Sequence, residues 1–147
     1  MDLAAKVWTV PADRMKAGRE HSVPLSERAF EIVKTMAAAK VSDFVFTGQA
    51  GRPLSDDAMR AALRRMGVEN ATTHGMRSAF RDWSGNETHF PRELAEQALA
   101  HVIGDKAEQA YRRSDALEKR RALMDAWAAY CEPSSADEKI TPLRRKA

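Results

Sequence analysis

From residue 26 onward, apolar residues recur at the three- and four-residue spacing of amphipathic α-helices, and this pattern constrains the fold most strongly. Ser26 is a helix N-cap by residue type, and an apolar stripe follows it to about Lys40. Later helical segments have their own start and stop signals. We expect them from Ser55 to Met66 with Gly67 as the stop, from Thr72-Thr73 to about Trp83, from Pro91 to about His101, and through Leu117, Met124, Trp127 and Cys131.

The N-terminal segment has the different pattern of a β-hairpin. Two short β-prone runs, Val7–Val10 and His21–Leu25, flank a polar connector that contains Gly18. The connector tip, residues 14–19, carries three positive charges. Further along, Phe44-Val45-Phe46 predicts a short buried strand or extended segment, and a loop follows over residues 47–53. The fold class is therefore mainly α with a small N-terminal antiparallel sheet.

Composition limits the class of protein. The 147 residues are 44% hydrophobic and 31% charged, which favours one globular domain over disorder. No apolar run approaches the roughly 18 residues of a membrane span. Asp2 and Lys6 interrupt the apolar residues near the N-terminus, so we expect no signal peptide. One cysteine, Cys131, cannot form an internal disulfide and fits the reducing cytoplasm. We expect a domain over residues 1–132 and a flexible, basic-ended tail over residues 133–147.

Arginine dominates the basic residues. The formal net charge is only +3, but the sequence holds 16 Arg among its 24 basic residues, and Arg binds phosphate through two parallel hydrogen bonds. The pairs Arg64-Arg65, Arg120-Arg121 and Arg144-Arg145 are each expected to be exposed helix or tail charge. Together they favour a polyanionic partner.

The third helix offers the first candidate site. At about 100° per residue, His74, Arg77 and Arg81 share one face, while Met76, Phe80 and Trp83 share the opposite, core-facing one. Such a cationic cluster at a helix N-terminus suits an anion. The alternative is a solvated polar face with a capping histidine.

Two further candidates lie elsewhere in the chain. His101 ends the fourth helix, and Tyr111 lies ten positions later on a predicted short helix, directly before Arg112 and Arg113. Cations beside a tyrosine stabilise the nucleophilic phenolate, although a packed surface tyrosine is the alternative. Lys16 at the hairpin tip is either solvated or placed to give a proton to a leaving alkoxide. His21 and His89 have no partners at metal-ligand spacing, so we expect no metal and no cofactor.

Five features occur in a fixed order between about residues 7 and 131. They are the hairpin Trp8-Thr9-Val10-Pro11, Arg14-Met15-Lys16 and His21–Ser26, the box Thr73-His74-Gly75-Met76-Arg77, the triplet Leu99-Ala100-His101, the run Ala110-Tyr111-Arg112-Arg113-Ser114-Asp115, and the closing helix Arg120–Trp127. In this order they resemble the phage-type tyrosine recombinases, in particular the prophage and genomic-island integrases. The resemblance implies the catalytic-domain fold of that family and site-specific recombination of double-stranded DNA at attachment sites.

The resemblance also implies a role for each residue. Tyr111 would attack the scissile phosphate and form a 3′-phosphotyrosyl link, and Lys16 would protonate the leaving 5′-oxygen. Arg77 and His101 would hold the non-bridging oxygens, and His74 would assist proton transfer at the tyrosine or the phosphate. Arg81 would contact a neighbouring phosphate or an acidic residue, and Arg14, Arg19, Arg112 and Arg113 would face DNA.

One part of the family pattern does not occur in these 147 residues. The family carries another catalytic arginine, in a Gly-x-Arg-x-x-Glu-like context on a helix before the hairpin, and N-terminal DNA-binding domains. We therefore expect a partial catalytic domain with little or no recombinase activity of its own, in a bacterial cytoplasm and on the nucleoid when DNA is bound. A catalytically silent helical module that binds DNA or protein is the alternative function. Self-association through the C-terminal tail is a further expectation.

Overall fold

The computed structural model describes residues 1–101 and 116–132. Over these residues the chain is mainly helical, with one two-stranded antiparallel sheet near the N-terminus, as predicted. The elements are β1 (Val7–Val10), β2 (His21–Pro24), α1 (Glu27–Ala38), α2 (Ala58–Arg65), α3 (Thr73–Asn86), α4 (Arg92–Ala98) and α5 (Leu117–Cys131). No helix among these residues is both long and apolar enough to cross a membrane.

The predicted hairpin is confirmed. β1 pairs with β2 so that Val7 lies opposite Pro24 and Val10 lies opposite His21. The connection starts with a 3₁₀ turn at Ala12–Arg14 and later passes through Gly18 at φ +62°, a conformation that glycine adopts without strain. The second strand ends at Pro24, one residue before the predicted end.

α1 begins where the sequence predicts. The Ser26 hydroxyl accepts a hydrogen bond from the Ala29 N–H at 3.3 Å, which satisfies one of the helix's free amide groups. Val33 is the buried residue of the helix, and the helix ends at Ala38, two residues before Lys40.

Phe44–Phe46 forms neither the short buried strand nor the extended segment that the sequence predicts. Residues 41–46 form bends, and Phe44 and Phe46 are 43% and 50% exposed. β-prone residues form a strand only when a neighbouring strand satisfies their backbone groups. In the described residues, both strands are already paired in the hairpin.

α2 differs from the prediction at its start and agrees at its end. Asp57, not Ser55, occupies the N-cap position, and its carboxylate accepts hydrogen bonds from Arg60 and Arg64 instead of capping the backbone. The helix ends at Arg65, and Gly67 follows at φ +71°. The predicted glycine stop is therefore confirmed, because only a residue that tolerates the left-handed region ends a helix in this way without strain.

The core lies where α3, α4 and α5 meet. Thr72 caps α3 by accepting a hydrogen bond from the Gly75 N–H at 2.9 Å, and the helix continues to Asn86, three residues beyond the predicted end. Leu123 of α5 is fully buried. The other buried members of the cluster are Phe80, Trp83, Leu94, Ala95 and Leu99. An aromatic group, with Trp83 and Trp127 centroids 5.0 Å apart, joins α3 to α5.

One residue of the predicted core face is not in the core. Phe80 and Trp83 are buried as expected, but Met76 is 46% exposed. The buried residues of α3 all lie in its second half. The first half of α3 therefore extends past the helices that form the core.

The prediction that Arg120 of α5 is an exposed charge is wrong. Its side chain is almost fully buried at 2% exposure, and its guanidinium donates to the Ser22 carbonyl of β2 at 2.7 Å. The neighbouring Arg121 donates to the Ala5 carbonyl at 3.1 Å. Two consecutive arginines of α5 thus hold the backbone of the hairpin region, whereas Arg64 and Arg65 are exposed as predicted.

Candidate functional site

Arg77 of α3 is anchored at the end of α4. Its Nη2 donates a hydrogen bond to the carbonyl of Leu99, the C-cap residue of α4. This carbonyl group lies at the negative end of the helix dipole, where a cation is stabilised. A guanidinium has five N–H donors. One bond to Leu99 therefore fixes the position of Arg77 and leaves further donors for an anion, and the residue remains exposed.

The turn that ends α4 determines where His101 lies. The Ala100 N–H donates to the Gln97 carbonyl at 3.0 Å, and the His101 N–H donates to the Glu96 carbonyl at 2.9 Å. These two bonds form a Schellman motif, which requires a left-handed residue, here Ala100 at φ +55°. The motif turns the chain back on its own helix, so that Nδ1 of His101 meets the carboxylate of Glu96.

Glu96 connects three basic side chains. Its Oε2 binds His101, and its Oε1 accepts a hydrogen bond from Nε of Arg81 at 2.9 Å and lies 3.7 Å from Nε of Arg92. The Glu96 side chain is only 13% exposed. The hydrogen bond from His101 is the main cause that lowers the pKa of Glu96, the charge of Arg81 adds to it, and partial burial opposes it. Glu96 is therefore a carboxylate at neutral pH.

The structure thus brings Arg77, Arg81 and His101 together at the carboxyl end of α4. α3 supplies the two arginines, and the turn after α4 supplies the histidine. Arg81 has the acidic contact that was one of its two expected partners. The two arginines outnumber the one carboxylate, so the cluster suits a bound anion such as a phosphate.

His74 lies in the first turn of α3 and is exposed. The adjacent Gly75 is constrained by the cap, since a Cβ there would lie 3.2 Å from the Thr72 hydroxyl. The first turn of a helix presents free N–H groups and the positive end of the helix dipole. His74 therefore lies where an anion would be stabilised.

The hairpin residues are exposed but lie on another element. Arg14, Lys16 and Arg19 all belong to the connection between β1 and β2. Among the described elements, β2 packs against α5, through Arg120. No described hydrogen bond or ion pair joins Lys16 to the Arg77 and His101 group.

Several predicted site residues fall outside the described residues. They are Tyr111, Arg112 and Arg113, together with the predicted short helix that contains them. The tail over residues 133–147, with Arg144-Arg145, also lies outside. Within residues 1–101 and 116–132, no group of three or more His, Cys, Asp or Glu side chains is arranged to hold a metal ion.

Sequence reasoning missed Glu96. It follows Arg92 by four positions, which places both on one helix face, and this spacing was the available signal. The contact with His101, five positions later, depends on the Schellman turn. That turn usually contains glycine, and Ala100 gives no such signal.

Comparison with known proteins places these residues in a family context. The profile of the phage integrase family matches residues 1–118. Prophage integrase IntA of Escherichia coli (strain K12) is 39% identical over 132 residues, which make up 87% of this chain and 32% of that protein. The integrase of Shigella phage Sf6 is 30% identical over 145 residues, or 95% of this chain and 36% of its own length. The chain spans about a third of the length of these relatives. No solved structure matches it.

Proposed function

The chain belongs to the phage integrase family, and on that premise we propose that it is the catalytic part of a tyrosine recombinase that acts on double-stranded DNA. The observation that carries the proposal is the group formed by Arg77 and His101 at the carboxyl end of α4. These are the residues that the family resemblance assigns to the scissile phosphate. They come from different elements and meet at one place, as a phosphate site requires.

The proposed reaction exchanges one phosphoester bond for another. The Tyr111 oxygen attacks phosphorus while the bond to the 5′-oxygen breaks, which leaves a 3′-phosphotyrosyl link and a free 5′-hydroxyl. As the new bond forms, the phenol proton of Tyr111 passes to His74 or, with its assistance, to the phosphate, and Lys16 gives its proton to the departing oxygen. Because the energy of the phosphodiester remains in the covalent link, attack by a 5′-hydroxyl rejoins the strand without ATP.

Arg77 and His101 stabilise the transition state in this scheme. Negative charge grows on the non-bridging oxygens as the pentavalent state forms, and fixed donors aimed at those oxygens lower its energy. Arg77 is well suited to this task because its bond to Leu99 orders the guanidinium before DNA arrives. Little reorganisation is then needed during the reaction.

We further propose that the polypeptide of 147 residues is nearly inactive by itself. It contains no Gly-x-Arg-x-x-Glu-like motif that would supply the family's other arginine. Removing one such donor typically lowers the rate by about 10²- to 10³-fold. In this proposal residues 1–132 are part of a catalytic domain that binds attachment-site DNA on the bacterial nucleoid. Residues 133–147 are a tail that contributes to self-association.

A covalent-adduct assay tests the function. The N-terminal portion of the IntA relative is fused ahead of Met1 and incubated with a nicked duplex that this relative cleaves. We expect a phosphotyrosyl adduct from the fusion and an adduct at least about 10²-fold slower from the 147-residue polypeptide. Comparable rates would contradict the proposed inactivity.

The two tyrosines provide a matched pair of variants. In the fusion, Tyr111→Phe should abolish the adduct and leave equilibrium duplex binding nearly unchanged, while Tyr130→Phe should keep the adduct. Tyr130 is the other tyrosine of the chain and lies on α5, 61% exposed. An adduct that survives Tyr111→Phe overturns the proposed nucleophile. Duplex binding without any adduct in the parent fusion supports the silent DNA-binding module instead.

A further inference from the structure

We propose that Glu96 is a positioning residue, which holds the His101 ring and the Arg81 guanidinium in the orientation that a DNA phosphate needs. The inference rests on the proposed function, because the phosphate is the substrate assigned there. It adds a carboxylate that does not touch the substrate but determines how the His101 ring and the Arg81 guanidinium meet it.

The two oxygens of Glu96 have separate tasks. Oε2 binds Nδ1 of His101, whereas Oε1 accepts from Nε of Arg81 at 2.9 Å and faces Nε of Arg92 at 3.7 Å. Each oxygen therefore has its own basic partners. A change at this one side chain alters the position of both His101 and Arg81.

The contact with Nδ1 fixes the direction of the histidine ring. A carboxylate only accepts hydrogen bonds, so Nδ1 must carry a proton in this pair. The other nitrogen, Nε2, then points away from Glu96, and when the ring carries its second proton the Nε2–H donates to a phosphate oxygen. The arrangement follows the same physical logic as a catalytic carboxylate that orients an imidazole in one tautomer.

The contact with Arg81 has a similar effect on the guanidinium. Nε is the donor nearest the helix backbone, and its bond to Glu96 orders the side chain. The two terminal nitrogens of Arg81 keep their donors for another acceptor. They can then serve a phosphate next to the reacting one.

The burial of Glu96 indicates that its carboxylate does more than form a surface ion pair. Glutamate is rarely buried unless it is paired, and here the side chain is only 13% exposed while Arg81 and Arg92 are 50% and 79% exposed. Exposed ion pairs contribute little to stability. A carboxylate that is covered while its partners remain open is better explained by orientation than by stability.

Long-range ¹H–¹⁵N NMR of the histidine rings in the 147-residue chain tests the proposal. At a pH where the ring is neutral, we expect the parent His101 in the Nδ1–H tautomer. In Glu96→Ala the ring should shift towards the Nε2–H tautomer that free histidine prefers. Glu93→Ala is the matched control, since Glu93 lies exposed on the same helix, and it should leave the His101 tautomer unchanged.

A second variant keeps the proposal testable if Glu96→Ala does not fold. Glu96→Gln keeps the shape but offers one oxygen acceptor in place of two, so either His101 or Arg81 loses its partner. We expect a changed His101 tautomer or faster exchange of the Arg81 Nε–H. A parent ring in the Nε2–H tautomer, or no change in either signal in the Glu96 variants, overturns the inference.

Duplex titration of the same samples separates this inference from the proposed function. Removing a negative charge by Glu96→Gln should leave duplex affinity equal or higher, because the basic surface is retained. The bound duplex should shift the His101 Nε2 signal in the parent but at least about two-fold less in Glu96→Gln. A parent chain that does not bind the duplex contradicts the proposed function, while its His101 tautomer still decides whether Glu96 orients the ring. Equal Nε2 shifts in both proteins overturn the positioning role.

Discussion

Ala100 holds a backbone conformation that its side chain disfavours. Its φ is +55°, in the left-handed region where a Cβ approaches the following carbonyl oxygen. The Schellman motif at the end of α4 requires this conformation, and the motif brings His101 back to Glu96. The residue that determines the geometry of the candidate site is therefore one with no chemistry of its own.

Ala100→Gly should stabilise the protein by up to about 1.5 kcal/mol. Glycine removes the energetic cost of the left-handed conformation, about 1–2 kcal/mol. Glycine also makes the unfolded chain more flexible, and this offsets about 0.5–1 kcal/mol of the gain. Urea unfolding monitored by the tryptophan fluorescence of the core measures the difference.

The matched control is Ala79→Gly, at an exposed position inside α3. There glycine meets no left-handed requirement, so it should destabilise the protein by about 1 kcal/mol. Destabilisation by Ala100→Gly of similar size would contradict the Schellman assignment.

Among the described elements, α5 contacts both the helical core and the hairpin. One face packs Leu123 and Trp127 into the core with α3 and α4, and Arg120 and Arg121 hold the backbone of the hairpin region. The hairpin carries the proposed proton donor, Lys16. α5 thus connects this hairpin to α3, which carries Arg77, and to α4, which is followed by the turn that carries His101.

Arg120→Met should weaken this link. The Ser22 carbonyl would lose its partner at a part-buried position, and an acceptor left unpaired away from water costs about 1–3 kcal/mol. Besides the lower unfolding free energy, we expect the variant to speed amide hydrogen exchange more in β2 than in α3. Lys119→Met, one position earlier and exposed, should change the unfolding free energy by no more than about 0.5 kcal/mol. Equal stability of the two variants would show that the buried guanidinium does not brace the hairpin.

The elements that the sequence predicts well depend on local signals. The Ser26 cap, the helix start near Thr72-Thr73, the Gly67 stop and the two β-prone runs of the hairpin each depend on a few residues, and the structure confirms them. Phe44–Phe46 failed because a strand needs a partner that short-range patterns do not reveal. The prediction that Arg120 is exposed was wrong for the same reason, since its acceptor, Ser22, lies 98 positions away.

The candidate site likewise contains residues that local patterns predict and one residue that only tertiary packing brings to it. Arg77 and Arg81 were predicted to share a face because helical spacing is local, and His101 was identified by its place in a family motif. The common partner of Arg81 and His101 could not be predicted, because Glu96 meets Arg81 only when α3 packs against α4. Tertiary packing, not residue type, makes this carboxylate part of the site.

For the whole molecule, a net charge of +3 says little about DNA binding, because the distribution of charge decides which surface meets the duplex. In the proposed function, that surface includes the hairpin tip and the carboxyl end of α4. Exposed basic residues elsewhere, such as Lys34 on α1, belong to a different part of the surface. The two groups should therefore differ in their effect on the salt dependence of binding.

Duplex affinity measured across a series of salt concentrations tests this distribution. Each neutralised phosphate contributes about −0.9 to the slope of log K against log salt. Arg14→Gln and Lys16→Gln should each make the slope shallower by about 1, whereas Lys34→Gln, with the same loss of charge, should leave it unchanged. If all three variants reduce the slope equally, the duplex is held by overall charge and the hairpin does not face it. If only the hairpin variants do, the location of the positive charge governs binding despite the small net charge.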